Sequence, residues 1–199
     1  MRNWLLLLTL FLAGVSSAQS SNELYQIISS VSKERIQADV TTLVGFGTRH
    51  TLSDTISPVR GIGAARRWIK AEFKKIAADC SNCLEVKEQH NLVSKGSGDR
   101  IVKDVNIVNI LAIQHSKKNP KRFVLMSGDI DSRISDPNDY TNDSPGANDN
   151  ASGMAGTIEA ARVLSKYRFD YGIIYAGLSG EEQGLFGGAG LAQWIKEQG

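Results

Sequence analysis

The sequence carries little excess charge, few cysteines and, beyond its first residues, no long apolar run. Its 23 Lys and Arg residues nearly balance its 21 Asp and Glu residues, for a formal net charge of +2. A nucleic-acid-binding protein would show a basic footprint, so the sequence does not indicate that class. No stretch after residue 18 is apolar for the length that a membrane span needs.

The first 18 residues form the one long apolar segment. A basic residue at position 2 precedes an apolar run over 4–15, and small residues occupy positions 16 and 18. This order predicts a secretory signal peptide cut after Ala18, with residues 19–199 exported to the periplasm or the extracellular space as one domain. A transmembrane anchor is the alternative, but the run is shorter than the ~20 residues of a span.

The two cysteines lie close together, as Cys80 and Cys83 in "DCSNCLEV". A C-x-x-C pair can be a redox motif, half of a zinc site or a small structural disulfide. A zinc site would need a second pair of ligands, and no His or Cys nearby supplies one. In an exported protein the structural disulfide is the favoured interpretation.

Short apolar runs alternate with amphipathic stretches along the chain. Strands are predicted at Leu84–His90, Val102–Gln114, Phe123–Ser127 and 171–178. Helices are predicted at Asn22–Ser30, at Lys33–Leu43, from Ser57-Pro58 onward, at Asn150–Lys166 and after "GEEQG". This alternation predicts an α/β fold, a three-layer sandwich with a mixed, largely parallel central sheet and helices on both faces. Phe123–Ser127, short and continuously apolar, is predicted to be a central buried strand.

Three groups of acidic residues occupy equivalent places in this pattern. Asp129 and Asp131 follow one apolar strand, Asp149 precedes a helix, and Glu181 and Glu182 follow the next strand. Ligands of open α/β sheets bind at the carboxyl ends of the strands, so these five carboxylates should converge. Their mutual repulsion would be relieved by divalent cations, which carboxylates bind well.

Each group also has a purely structural interpretation. Asp149 could cap the helix that follows it. Glu181 and Glu182 could be solvated residues of a first helical turn, where the macrodipole favours acids. Asp131 could form a turn. The occurrence of all three groups at the ends of neighbouring elements favours the metal site.

Two longer motifs make the sequence recognisable. "SPGANDNASGMAGTIEAARVL" and "GLSGEEQGLFGG" resemble the secreted and periplasmic zinc aminopeptidases with two co-catalytic zincs, a family that includes bacterial leucyl aminopeptidases and glutamate carboxypeptidase-like enzymes. The resemblance runs from "GFGTRHT" to the last residue. It implies a metal-dependent exopeptidase that hydrolyses N-terminal peptide bonds of a peptide or protein substrate.

The resemblance also implies roles for individual residues. Asp149 matches the carboxylate that bridges the two metals, Glu181 the general base and Glu182 the ligand of one metal. Asp131 matches the acid of a His-x-Asp motif that orients a metal-binding imidazole. Two cations would activate a bridging water, and Glu181 would take its proton and return it to the leaving amine.

Two features depart from the family pattern. Asp129 stands where the imidazole ligand is expected, and a carboxylate there should shift preference from zinc toward manganese or magnesium. The family also places an acidic ligand and a histidine ligand further downstream, whereas His50, His90 and His115 all lie upstream and are predicted to be ordinary polar or structural residues. We therefore expect this chain to be the N-terminal part of a longer enzyme.

Three functional hypotheses follow. The first is a metal-dependent aminopeptidase of which this chain carries the first half of the site. The second is a catalytically inactive homologue that acts as a binding or scaffold domain. The third is a two-metal carboxypeptidase or related amidohydrolase, which substrate end-preference would distinguish. The oligomeric state is not predicted.

Overall fold

The structure, a computed structural model, describes residues 22–198. The predicted signal peptide, residues 1–18, lies outside them. The chain divides into two compact units, Met1–Ser32 and Lys33–Gly199. The described part of the first unit is helix α1, residues 22–29, whose Leu24 is exposed to solvent. None of the helices described is both long and apolar enough to cross a bilayer.

The second unit contains four helices and four strands. In chain order they are α2 (Lys33–Gly45), α3 (Gly61–Asp79), β1 (Glu85–Val93), β2 (Val105–Gln114), β3 (Asn119–Asp129), α4 (Ser152–Leu164), β4 (Tyr171–Leu178) and α5 (Phe186–Gln198), with a π-helical turn at Ala147–Ala151 before α4. The alternation of strands and helices predicted from the sequence is therefore confirmed.

The sheet is mixed, with strand order β1-β2-β4-β3. β3 and β4 are parallel, whereas β1–β2 and β2–β4 are antiparallel. The prediction of a mixed sheet is confirmed, but its "largely parallel" character does not hold for the four strands described. The reason is local: β1 and β2 form a hairpin, and a hairpin forces antiparallel pairing.

Helices cover both faces of the sheet, as the sequence predicted. β2 alternates its side chains, so Ile110 and Ala112 pack with α3 and α4 on one face. Leu111 and Ile113 point to the other face, where they pack against Leu191 of α5. The protein is thus a three-layer α/β sandwich.

Two predicted elements differ from the structure. Helix α3 begins at Gly61 and not at Ser57-Pro58, because Ser57 Oγ accepts hydrogen bonds from the amides of Val59 and Arg60 and caps a turn instead. β3 is an edge strand among the residues described, and its Val124 is 51% exposed, so the prediction of a central buried strand at Phe123–Ser127 was wrong for this part of the chain.

The cysteines are bonded to each other. Cys80 follows the last residue of α3, and the Cys80–Cys83 disulfide closes the turn that leads into β1. Cys83 Sγ also lies 3.4 Å from the carbonyl oxygen of Ser165, just after α4. The structural interpretation of the C-x-x-C pair is confirmed.

Candidate metal centre

The parallel pairing of β3 with β4 brings the first and third acidic groups together. Asp129, the last residue of β3, is in register with Leu178, the last residue of β4. One residue further, the amide of Ile130 donates to the carbonyl oxygen of Leu178 at 2.6 Å. Glu181 follows Leu178 by three residues, so both groups lie at the same edge of the sheet.

Close packing of α4 against β3 adds the second acidic group. A Cβ on Gly128 would lie 2.4 Å from the backbone nitrogen of Met154, so only glycine allows this approach. At the start of α4, Asn150 Oδ1 accepts a hydrogen bond from the Asp129 amide at 3.3 Å. Asp149 precedes Asn150 through a cis peptide bond, within the π-helical turn, and is exposed.

Asp131 is buried and is hydrogen-bonded by three groups. Thr51 Oγ1 donates to Asp131 Oδ2 at 2.8 Å, and the amides of Glu181 and Glu182 donate to its two oxygens at 3.3 and 3.2 Å. Burial raises the pKa of Asp131, and these donors act against that rise. Asp131 therefore contacts the Thr51 hydroxyl and the backbone amides of the two glutamates.

Glu182 is held at both its backbone and its side chain. Arg133 Nε donates to Glu182 Oε2 at 2.6 Å, and Arg100 Nη1 donates to the Glu182 carbonyl oxygen at 2.6 Å. A cleft of about 490 Å³ lies beside this pair, lined by residues 133–135, 146–149 and Glu182. The cleft therefore brings Asp149 and Glu182 to one surface.

The carboxylates influence one another's protonation. Burial raises the pKa of Asp129 to about 6, with further contributions from Asp131, Glu181, Asp149 and Glu182. Burial is also the main cause of a raised pKa at Glu181, where the nearby acids add to it and Arg133 opposes it. A group of acids that perturb one another in this way is typical of a functional site.

The carboxylates are of the right chemical class for a divalent cation, but they do not form a complete coordination group. Among residues 22–198, no three His, Cys, Asp or Glu side chains lie close enough together to hold a metal ion. Glu182 is instead paired with Arg133. The described residues thus place carboxylate oxygens at one edge of the sheet without forming a complete cation site.

Two arginines that support this edge were missed by the sequence analysis. Arg133 follows Asp131 by two residues, and Arg49 belongs to "GTRHT", at the start of the segment over which the family resemblance runs. His50, also in "GTRHT", is fully buried; its Nε2 lies 2.9 Å from the Pro137 carbonyl oxygen and its Nδ1 accepts from the Leu52 amide. These contacts fit the structural role predicted for His50.

Comparison with known proteins agrees with the arrangement of the motifs. The sequence profile of peptidase family M28 matches residues 109–198. A probable zinc metalloprotease of Pyrenophora tritici-repentis is 41% identical over 174 residues, which are 87% of this chain and 40% of that protein. Across the most similar curated relatives the chain spans about two fifths of their length.

Solved structures share the fold. The LapA aminopeptidase of Legionella pneumophila has a TM-score of 0.67 at 19% identity, covering 89% of this chain and 43% of that one. A glutaminyl cyclase of Porphyromonas gingivalis has a TM-score of 0.59 at 21% identity, covering 79% and 49%. Residues 109–198 thus match the profile of peptidase family M28, and the whole chain resembles the zinc aminopeptidases in its motifs and its fold.

Proposed function

We propose that this chain carries the first half of the active site of an exported, metal-dependent aminopeptidase. The observation that carries the proposal is the convergence of Asp129, Asp149, Glu181 and Glu182 at the carboxyl edge of β3 and β4, with burial and mutual repulsion raising the pKa of Asp129 to about 6. Family membership and the zinc metalloprotease relatives support peptide hydrolysis.

The proposed ligands are Asp129, Asp149 and Glu182, and the family resemblance assigns Asp149 as the carboxylate that two divalent ions would share. Zinc is supported by the relatives, and Asp129 as an oxygen ligand shifts the expected preference toward manganese or magnesium. When bound, such ions lower the pKa of a coordinated water and polarise the scissile carbonyl. Ligands beyond those of this chain would complete the site.

Glu181 is proposed as the general base. Partial burial and, to a lesser extent, the nearby acids raise its pKa, which brings the carboxyl closer to the range where it can both take and return a proton. Asp131 accepts from the amides of Glu181 and Glu182, so it orients the segment that carries the base. The protonated Glu181 would then deliver its proton to the leaving amine.

Export of the protein is part of the proposal. A signal peptide over residues 1–18 is supported by the order of basic, apolar and small residues. The Cys80–Cys83 disulfide is consistent with an oxidising compartment. Peptides or proteins encountered outside the cytoplasm would be the substrates.

A change of Glu181→Gln tests the catalytic assignment. In a full-length version of the protein, aminoacyl-peptide hydrolysis should fall by roughly 10²–10⁴-fold, the contribution of a general base, while bound metal stays unchanged. The assay compares peptides with free and acetylated N-termini, with zinc and with manganese. Glu197→Gln, a change on the exposed end of α5, is the matched control and should keep full activity.

The second candidate is a non-catalytic homologue that serves as a binding or scaffold domain. The Arg133–Glu182 ion pair and the incomplete coordination group favour it. Absence of turnover by a full-length version that supplies the remaining ligands, with either metal, would support this candidate. Cleavage from the carboxyl terminus of acetylated peptides would instead support a carboxypeptidase. Cyclisation of an N-terminal glutamine would support a glutaminyl cyclase, the activity for which one structural neighbour is named.

A further inference from the structure

Arg49 lies between α2 and α3 and is 1% exposed. Its guanidinium donates four hydrogen bonds, all to backbone carbonyl oxygens. Nε donates to Ile130 at 2.8 Å, Nη1 to Leu43 at 3.1 Å and to Pro145 at 2.7 Å, and Nη2 to Gly146 at 3.0 Å. One side chain therefore joins three segments that are far apart in sequence.

Two of these segments carry the proposed metal ligands. Ile130 lies between Asp129 and Asp131, and Gly146 lies three residues before Asp149. Because the same guanidinium binds both backbones, it fixes the distance between the end of β3 and the π-helical turn. No other residue type offers several donors in one rigid plane with this geometry.

The surroundings leave the two segments little room to shift. Gly146 has a φ of +44°, and a Cβ there would lie 2.6 Å from Ser132 Cβ and 3.1 Å from Arg49 Nη2. Ser132 Oγ donates to the Ser144 carbonyl oxygen at 2.6 Å, and Thr48 Oγ1 lies 3.0 Å from Ser144 Oγ. These contacts hold the loop before Asp149 against the residues that follow β3.

Arg49 forms no ion pair with the residues that the structure describes. Within residues 22–198 its hydrogen-bond partners are all carbonyl oxygens, and burial lowers its pKa to about 10, which leaves it charged at neutral pH. Burying a charge without a contacting counter-ion is costly, so stability alone is a poor reason for an arginine here. Placement of the two backbones is a better one.

We propose that Arg49 is a positioning residue that sets the spacing between the Asp129–Asp131 segment and Asp149, and thereby the cation affinity of the site. The proposal rests on the proposed metal-dependent function for its second part. The first part, the fixing of two backbone segments, is independent of any metal.

The test compares Arg49→Lys with wild type in the full chain. Lysine keeps the charge but cannot bind both backbones at once, so hydrogen exchange in residues 128–132 and 146–150 should speed up by at least about tenfold. In a full-length version that supplies the remaining ligands, affinity for Mn²⁺ and Zn²⁺, measured by calorimetry with the metal alone, should fall about 10- to 100-fold, as it does when partners that orient ligands are changed.

Arg162→Lys is the matched control. Arg162 is also a partly buried arginine, but it pairs with Asp39, Glu72 and Glu159 near the other end of α4. Arg162→Lys should lower the free energy of unfolding, but it should leave hydrogen exchange in residues 128–132 and 146–150 and the cation affinity unchanged. If Arg49→Lys gives the same exchange and the same affinity as Arg162→Lys, Arg49 is not a positioning residue.

The metal measurement and the hydrogen-exchange measurement test different parts of the proposal. A full-length version that supplies the remaining ligands and still binds neither ion would count against the proposed function, and the exchange comparison would still decide the role of Arg49. A full-length version that binds metal, with unchanged affinity in Arg49→Lys, would overturn the link between Arg49 and the site while leaving the proposed function standing.

Discussion

Asp129 is where this chain departs most clearly from the pattern of the zinc aminopeptidases. A neutral imidazole is expected at this position, and the carboxylate adds a negative charge to an edge that already carries four others. Arg133, which pairs with Glu182 and opposes the pKa rise of Glu181, partly offsets that charge. If Asp129 is a metal ligand, as proposed, a carboxylate in the place of an imidazole changes both the ligand type and the charge of the site.

The raised pKa of Asp129 predicts a pH-dependent contribution to stability. In the unfolded chain the group titrates near 3.8, whereas in the folded protein it titrates near 6, so folding favours the protonated form. The stabilisation is fully present below pH ~4 and is lost as pH rises through about 6. Relative to Asp129→Asn, the metal-free wild type should therefore lose stability between pH 4 and pH 7.

Urea unfolding midpoints at the two pH values measure this difference. Asp139→Asn provides a control of opposite sign, because hydrogen bonds from Asn142 and Thr141 lower the pKa of Asp139. Wild type should gain stability over Asp139→Asn as pH rises through the acidic range. Equal pH dependence in wild type and Asp129→Asn would mean that Asp129 is not desolvated in the folded protein.

Single-residue patterns predicted the acids of the site but not their partners. Asp129, Asp149, Glu181 and Glu182 could be found because each follows a strand or precedes a helix. The contact of Arg49 with Ile130 spans 81 residues, and that of Arg133 with Glu182 spans 49. Such contacts depend on how segments pack in space, which periodicity and capping signals do not encode.

At the level of elements, the packing of α4 on β3 brings the second acidic group to the site. Gly128 permits this approach because its missing Cβ leaves room for the backbone of Gly153 and Met154. Asn150, at the start of the same contact, binds the Asp129 amide. The spacing of two elements is thus controlled by a residue that takes no part in the chemistry.

Gly128→Ala should push α4 away from β3. Overpacking against a backbone costs about 1–3 kcal/mol, and the free energy of unfolding measured by urea titration should fall by that amount. Gly156→Ala in the same helix is the control: a Cβ there meets no atom within 4 Å, so helix propensity should make it neutral or stabilise the protein by up to about 1 kcal/mol. Equal stability of the two variants would contradict the tight contact.

The sequence predicted the existence of the strands better than it predicted their places in the sheet. Tyr171–Leu178 is a strand with the bounds that its apolar run suggested, because both of its faces are covered by helices. The run at Phe123–Ser127 is also mostly apolar, but it lies at the edge of the described sheet. Composition shows that a strand is apolar, whereas its place in the sheet depends on which strands pair with it.

At the scale of the whole molecule, β3 leaves an apolar edge exposed. Among the residues described it pairs on one side only, and Phe123, Val124 and Leu125 are 37%, 51% and 49% exposed. Pro120 and two basic residues protect the first part of the strand, since proline and charge discourage pairing. The apolar residues that follow have no such protection.

The full chain, prepared alone, should therefore self-associate through β3. Sedimentation at increasing concentration should show a rising average mass, and Val124→Lys should move that rise to at least about tenfold higher concentration, because a charge on an edge strand opposes edge-to-edge pairing. Val59→Lys is the control, since Val59 is 71% exposed but lies outside the sheet, just before α3. A wild-type chain that stays monomeric, or equal association in both variants, would show that the edge of β3 does not drive contact between copies.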